Sequence, residues 1–144
     1  MIRRPTAALL ASLALLSATA CESITRSDPP TQARVVAEVT TEEPLELIVS
    51  TNFEVVLDEL TGNLNPGFRN ADTVRLTSDY DETYALNAED SKLFVHLGND
   101  RGGESPVRLR VFLDGEQEYD ASATLGNGGF LEYLFRFNQP TIAR

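Results

Sequence analysis

Tryptophan is absent from the chain, and cysteine, histidine and methionine each occur once. A single cysteine, Cys21, rules out an intrachain disulfide and any cysteine-based metal site. The single histidine, His96, has no serine in a recognisable nucleophile context near it. Neither Ser78 nor Ser91 stands in a G-x-S-x-G or comparable setting, so the sequence gives no reason to expect catalysis. Carboxylate pairs of the glycosidase kind usually work in larger, aromatic-rich clefts, and the lack of tryptophan argues against one here. Basic residues are scarce: Lys and Arg total 12 against 22 Asp and Glu, for a formal net charge of −10. Arg108 and Arg110 are close in sequence, but they fall on one strand face among acids. A net-negative surface without a basic patch does not attract a polyanion, so nucleic acid is not expected as a partner. Long apolar runs are missing too. The run from Ala7 to Leu16 is shorter than the roughly 20 residues a membrane-spanning helix needs.

What that run does have is flanking. Arg3 and Arg4 precede it, and the small residues Ser17 to Ala20 follow it. A positive start, a short apolar centre and a small-residue tail make a secretory signal peptide. The next residue is Cys21. "LLSATAC" (Leu15 to Cys21) resembles the lipobox of bacterial lipoprotein signal peptides, with Ala20 and Thr19 in the two small positions and Ala18 where leucine is usual. That resemblance implies a signal peptide over residues 1–20 and cleavage before Cys21. It also implies lipidation of the Cys21 thiol and attachment to a membrane of the cell envelope. In a source with two membranes, that would be the outer membrane, facing the periplasm. Ala18-Thr19-Ala20 also fits an ordinary A-x-A cleavage site. In that case Cys21 is an unpaired thiol in an oxidising compartment, a poor use of cysteine. Two or more acyl chains, at about 0.8 kcal/mol per buried CH₂, hold a small domain stably at a bilayer.

"ESITRSDPPTQA", Glu22 to Ala33, is polar and without periodicity, and reads with Cys21 as a flexible tether over residues 21–33, stiffened at Pro29-Pro30. Its reach is at most about 40 Å. From Arg34 the pattern changes to alternation. Val35, Ala37 and Val39 share one face, as do Leu45, Leu47 and Val49, and Phe53, Val55 and Leu57. Val74 and Leu76, then Tyr84 and Leu86, form two short runs. Leu93, Val95 and Leu97 follow, then Val107, Leu109, Val111 and Leu113. Tyr119, Ala121 and Ala123 precede a final run of Leu131, Tyr133, Phe135 and Phe137. A period of two marks half-buried strands. Asp114-Gly115 between two such runs is the strongest turn signal, because a type I′ hairpin needs positive φ at both positions. The expected fold is all-β: an antiparallel, immunoglobulin-like β-sandwich of seven to nine strands over residues 34–140.

"VRLRVFLDGEQEYDASA" (residues 107–123), and more loosely "LTSDYDETYAL", resembles the hairpin region of MmpS-type proteins. These are small actinobacterial accessory proteins with an immunoglobulin-like sandwich outside the membrane, working beside lipid and siderophore exporters. The resemblance implies the sandwich and points to an accessory role beside an envelope transporter. Those proteins use a transmembrane helix rather than a lipobox, and usually carry a cysteine pair that is missing here.

Three kinds of site are open at this level. The acids Asp79, Asp81 and Glu82, with Asp100, Glu104, Glu116, Glu118 and Asp120, sit in or near turns where calcium-binding oxygens often gather, yet no EF-hand or nonapeptide pattern is present. Acidic turns also serve to discourage edge pairing, and neither a metal nor a cofactor is expected. Val36, Phe94 and Phe112 break the alternation. They fit either beneath a loop or in a small exposed apolar patch, which would be a partner site. The stretches Gly62 to Ala71 and Gly98 to Ser105 read as loops on a rigid scaffold, with Asn65, Phe68, Asn99, Asp100 and Arg101 as candidate partner-facing residues. Together these readings describe a lipid-anchored domain with a non-catalytic binding or structural role. The alternatives are a transporter accessory subunit and a calcium-dependent or carbohydrate-binding adhesive module.

Overall fold

Alternating strands must bury their apolar face against a second layer, and two sheets doing so together make a sandwich. A computed structural model describes residues 26–144; residues 1–25, with the leader and Cys21, lie outside the described residues. The strands are β1 (Gln32–Val39), β2 (Leu45–Leu57), β3 (Leu64–Leu76), β4 (Tyr80–Ala85), β5 (Lys92–Asn99), β6 (Ser105–Leu113), β7 (Glu116–Leu125), β8 (Gly129–Arg136) and β9 (Ile142–Ala143). One sheet has the order β4-β1-β6-β7, the other β3-β2-β5-β8-β9, and every pairing is antiparallel. The expected all-β, two-sheet sandwich of about nine strands is therefore what forms. Its order is its own: β1 and β2 lie in opposite sheets, whereas an immunoglobulin domain places its first two strands side by side.

The core is built from the alternating positions. Val35, Ala37, Leu45, Leu47, Leu93, Val95, Leu97, Leu109, Val111 and Leu113 are essentially inaccessible, with Val49, Tyr133 and Phe135 packed among them. Each fully buried Val or Leu contributes about 1.5–3 kcal/mol, so the face assignment is strongly enforced. Tyr119, Ala121, Ala123 and Phe137 pack against its margin.

The segment expected to be a flexible tether is part of the folded body from Arg26 onward. The Arg26 guanidinium is held by Glu118, by Glu116 at 3.1 Å and by the Leu113 carbonyl at 3.1 Å. Ser91 Oγ donates to the Pro30 carbonyl at 2.7 Å, and Ala33 is fully buried. The sequence pattern missed this because polar contacts to one turn carry no periodicity. At the other end the fold continues past residue 140, since β9 pairs with β8.

The turn at Asp114-Gly115 has φ of 49° and 85°, as a two-residue hairpin of this kind requires. Asp114 does a second job. Its carboxylate accepts from the backbone N–H of Thr31 and of Gln32, each at 3.0 Å, and so fastens the incoming chain. Burial pushes this carboxyl upward, but the bonds from Thr31 and Gln32 and the nearby Arg26 charge outweigh it and hold it below the usual range. A folded-state value lowered in this way stabilises above the ordinary carboxylate range, and the stabilisation is lost as the pH falls through the lowered value. Asp114→Asn keeps the turn and removes the charge. It should lower stability by about 1 kcal/mol at pH 7, small because the carboxylate is exposed. Urea titrations should show this difference closing in acid; a gap that persists at pH 2 would contradict the role.

Candidate functional site

The two outer faces of the sandwich differ in kind. On the β4-β1-β6-β7 face, the charged outward positions are matched across strands. Arg34 Nε lies 2.7 Å from Asp81, and Arg108 is bidentate to Asp120 at 2.8 and 2.7 Å. Glu38 reaches both Arg110 and Arg108. Hydrogen bonds from Arg34 and Arg108 hold Asp81 and Asp120 below the usual carboxylate range. Arg34 also covers the Phe112 ring, with its guanidinium carbon 5.6 Å from the centroid, and Val36 is buried. Two of the three out-of-pattern apolar residues are thus covered on an ion-paired surface.

The same kind of contact accounts for most of these acids. Asp81 and Asp120 serve arginines, Glu116 and Glu118 serve Arg26, and Asp79 accepts from the Val39 N–H at 2.9 Å. Among the described residues no group of three or more His, Cys, Asp or Glu is placed to hold a metal ion.

The outer face of the other sheet is aromatic, and a change of register makes it so. Between the pairs Val49↔Asp72 and Asn52↔Asn70, β2 advances three residues against two in β3; before Phe53↔Phe68, β3 gains the extra residue instead. Two offsetting irregularities restore the register but turn both strands over. Phe53, on the same parity as Val49, therefore leaves the core face. It packs with Phe94 and Leu134 in a second cluster on the outside, joined by Ile48, Val55 and Ile142. The expectation that Phe53, Val55 and Leu57 extend the main core face is corrected by this flip, and Leu57 is left exposed.

Phe94, the third out-of-pattern residue, is the centre of this cluster. Its ring lies 6.1 Å from Phe53 and 5.1 Å from Phe68. The row continues along β5 to His96, whose ring stacks 6.3 Å from Phe94 and 5.2 Å from Phe130. Gly98 makes room for it: a Cβ there would meet His96 Nε2 at 2.8 Å. Opposite His96, Glu132 places Oε2 3.3 Å from Nδ1, while Arg144 holds its other oxygen from Nε at 2.8 Å and from Nη2 at 2.7 Å. Phe68 and Phe130 remain 41% and 42% exposed. The result is a row of aromatic rings, open at both ends, beside a fixed carboxylate. Such a surface stacks on planar or apolar groups. Compared with family models, with curated proteins and with solved structures, the chain matches none.

Of the candidate partner residues, Asn65 and Phe68 lie in β3, not in a loop as expected. Its first half, Leu64 to Asn70, is mostly exposed and shows no alternation, and Pro66 and Gly67 look like loop residues. Phe68 belongs to the aromatic row; Asn65 opposes Val56 further out on the hairpin. Asn99 is buried. Its Nδ2 donates to the carbonyls of Gly103 and Leu125 at 2.8 and 2.9 Å, so it shapes the loop and does not face a partner. Asp100 pairs with Arg75 at 3.3 Å. Arg101 lines an open hollow with Thr41, Glu43 and Glu104 at the far end of the sandwich. Phe130 and Phe53 were the missed members of the site. The signal for Phe130 was its place one step out of the Leu131-Tyr133-Phe135 phase.

Proposed function

We propose that this chain is a lipid-anchored, extracytoplasmic binding module, held through Cys21, that offers the aromatic face of its five-stranded sheet to a protein partner in the cell envelope. The observation that carries the binding half is the contrast between faces. One is fully matched in charge, and the other leaves Phe68 and Phe130 half exposed on a rigid platform. The anchor half rests on the leader and the lipobox-like Cys21. Tethering raises the local concentration of a partner in the same membrane, so a modest surface is enough. The role proposed is binding without catalysis, with His96 acting as one ring of the aromatic row between Phe94 and Phe130.

The test is fatty-acid labelling of cells with crosslinking. Wild type should take up label, and Cys21→Ala should lose all of it. Phe68→Ser with Phe130→Ser should keep the label and lose the crosslinked neighbour. Label retained in Cys21→Ala would remove the anchor, and unchanged crosslinking in the phenylalanine variant would remove the face. Recovery of an exporter as the neighbour would make the module a transporter accessory subunit.

A further inference from the structure

The β2–β3 hairpin is longer than the sheet that carries it. β5 supports β2 only from Glu46 to Ser50, while β2 pairs with β3 as far as Leu57↔Leu64. From Phe53 to Leu57 the arm advances about 13 Å, at ~3.3 Å per residue, before the turn is reached. Its end is apolar. Val56 is 54% exposed, Leu57 56%, Leu64 41% and Leu60 97%. The turn is well defined. The Asp58 N–H donates to the Asn63 carbonyl at 2.8 Å and Gly62 N–H to the Asp58 carbonyl at 2.7 Å, with Gly62 at φ 71°. The Asp58 carboxylate folds back to accept from the Leu60 N–H at 2.9 Å, and Leu60 stands exposed at the turn beside Asp58 and Glu59.

The direction of the arm follows from the register. Ser91 bonds Pro30, and Lys92 Nζ lies 5.7 Å from the Phe53 ring, so Phe53 is level with the point where the chain enters the sandwich. The Asp114-Gly115 turn that holds Thr31 and Arg26 is at that same pole. The arm therefore projects from the pole at which the N-terminal segment arrives. From Arg26 back to Cys21 the chain reaches at most about 18 Å, close to the length by which the arm projects. A membrane holding an acyl chain on Cys21 thus meets this pole, and the apolar tip reaches it.

We infer that the tip formed by Val56, Leu57, Leu60 and Leu64 enters the interface of the bilayer to which Cys21 is attached. The inference rests on the anchor proposed above. Two points of contact fix the tilt of the domain, and the aromatic row is held at a set angle to the membrane. The acids at this pole, among them Glu59, Asp90 and Asp114, favour zwitterionic over anionic lipid.

The absence of native tryptophan allows a direct test. The full lipidated chain carrying Leu60→Trp is reconstituted in phosphatidylethanolamine–phosphatidylcholine vesicles, with Phe130→Trp, near the opposite pole, as control. Emission from Leu60→Trp should shift to the blue and be quenched more than twofold by brominated lipid, and Phe130→Trp should not be. Adding Leu57→Ser and Leu64→Ser to Leu60→Trp should abolish the quenching. Fatty acid on Cys21 with no quenching at position 60 overturns the inference and leaves the anchor standing. A blue shift that brominated lipid does not quench and dilution reverses overturns it in favour of a second copy at the tip. If Cys21 carries no fatty acid, the anchor fails. The same vesicles mixed with the unlipidated chain then decide: quenching at position 60 supports the tip, and its absence overturns it.

Discussion

Phe94→Ala should destabilise the protein by about 3 kcal/mol or more, as loss of a buried phenylalanine does. That is a large share of the 5–15 kcal/mol typical of a domain. The loss is unusual in its location, because Phe94 lies outside the sandwich core. Its side chain is 3% exposed beneath Phe53 and Phe68, which come from the β2–β3 arm. An unsupported two-stranded hairpin is marginal in water, so the arm depends on this contact. The variant should therefore unfold in urea at lower concentration. It should also show faster amide exchange along Phe53–Leu57 and Leu64–Phe68 than in β6. Phe112→Ala is the control, on the other face and beneath only Arg34; it should cost about 1 kcal/mol or less. Equal losses for the two variants, or unchanged exchange in the arm, would mean that the second cluster does not hold the hairpin.

The fold was legible wherever one strand face meets the core. Leu45, Leu47 and Val49 on β2, Leu93, Val95 and Leu97 on β5, and Val107 to Leu113 on β6 all fall where alternation puts them. Asp114-Gly115 was legible because positive φ at two adjacent positions suits few other pairs. What could not be read has a physical reason in each case. β3 from Leu64 to Asn70 is mostly exposed and held by backbone pairing to β2, and neither fact leaves a hydrophobic period. The reversal at Ser50–Phe53 depends on irregularities in two strands at once, and no local pattern marks a register shift shared with a distant partner. The docking of Arg26 and Pro30 uses one guanidinium and one carbonyl. The candidate site was half legible. Phe94 stood out because it violated its strand's alternation, and that violation pointed to a second apolar surface. Phe53 was concealed because its parity matched the core.

The polar margin of the aromatic row supplies the second large effect. Glu132 is 6% exposed on an inner strand, its charge paired with Arg144 and its other oxygen in hydrogen-bond contact with His96. Burial pushes its carboxyl upward, but the His96 hydrogen bond and the Arg144 charge outweigh it and hold the group below the usual glutamate range. Glu132→Gln keeps the shape and removes the charge. It should cost about 2 kcal/mol at pH 7, less than a fully buried pair because Arg144 is half exposed. The lowered value sets the sign. The stabilisation is complete above the unfolded value of about 4.3 and disappears as the pH falls through the folded one. Urea midpoints of wild type and variant should therefore differ at pH 7 and converge at pH 2. Arg144 also exchanges backbone bonds with Glu132, at 2.6 and 3.0 Å, so loss of the ion pair should loosen β9 and uncover Leu134. Faster exchange at the Glu132 amide in the variant would report that loosening. A gap in stability that stayed constant from pH 7 to pH 2 would show that shape, and not the charge on Glu132, holds this edge of the sheet.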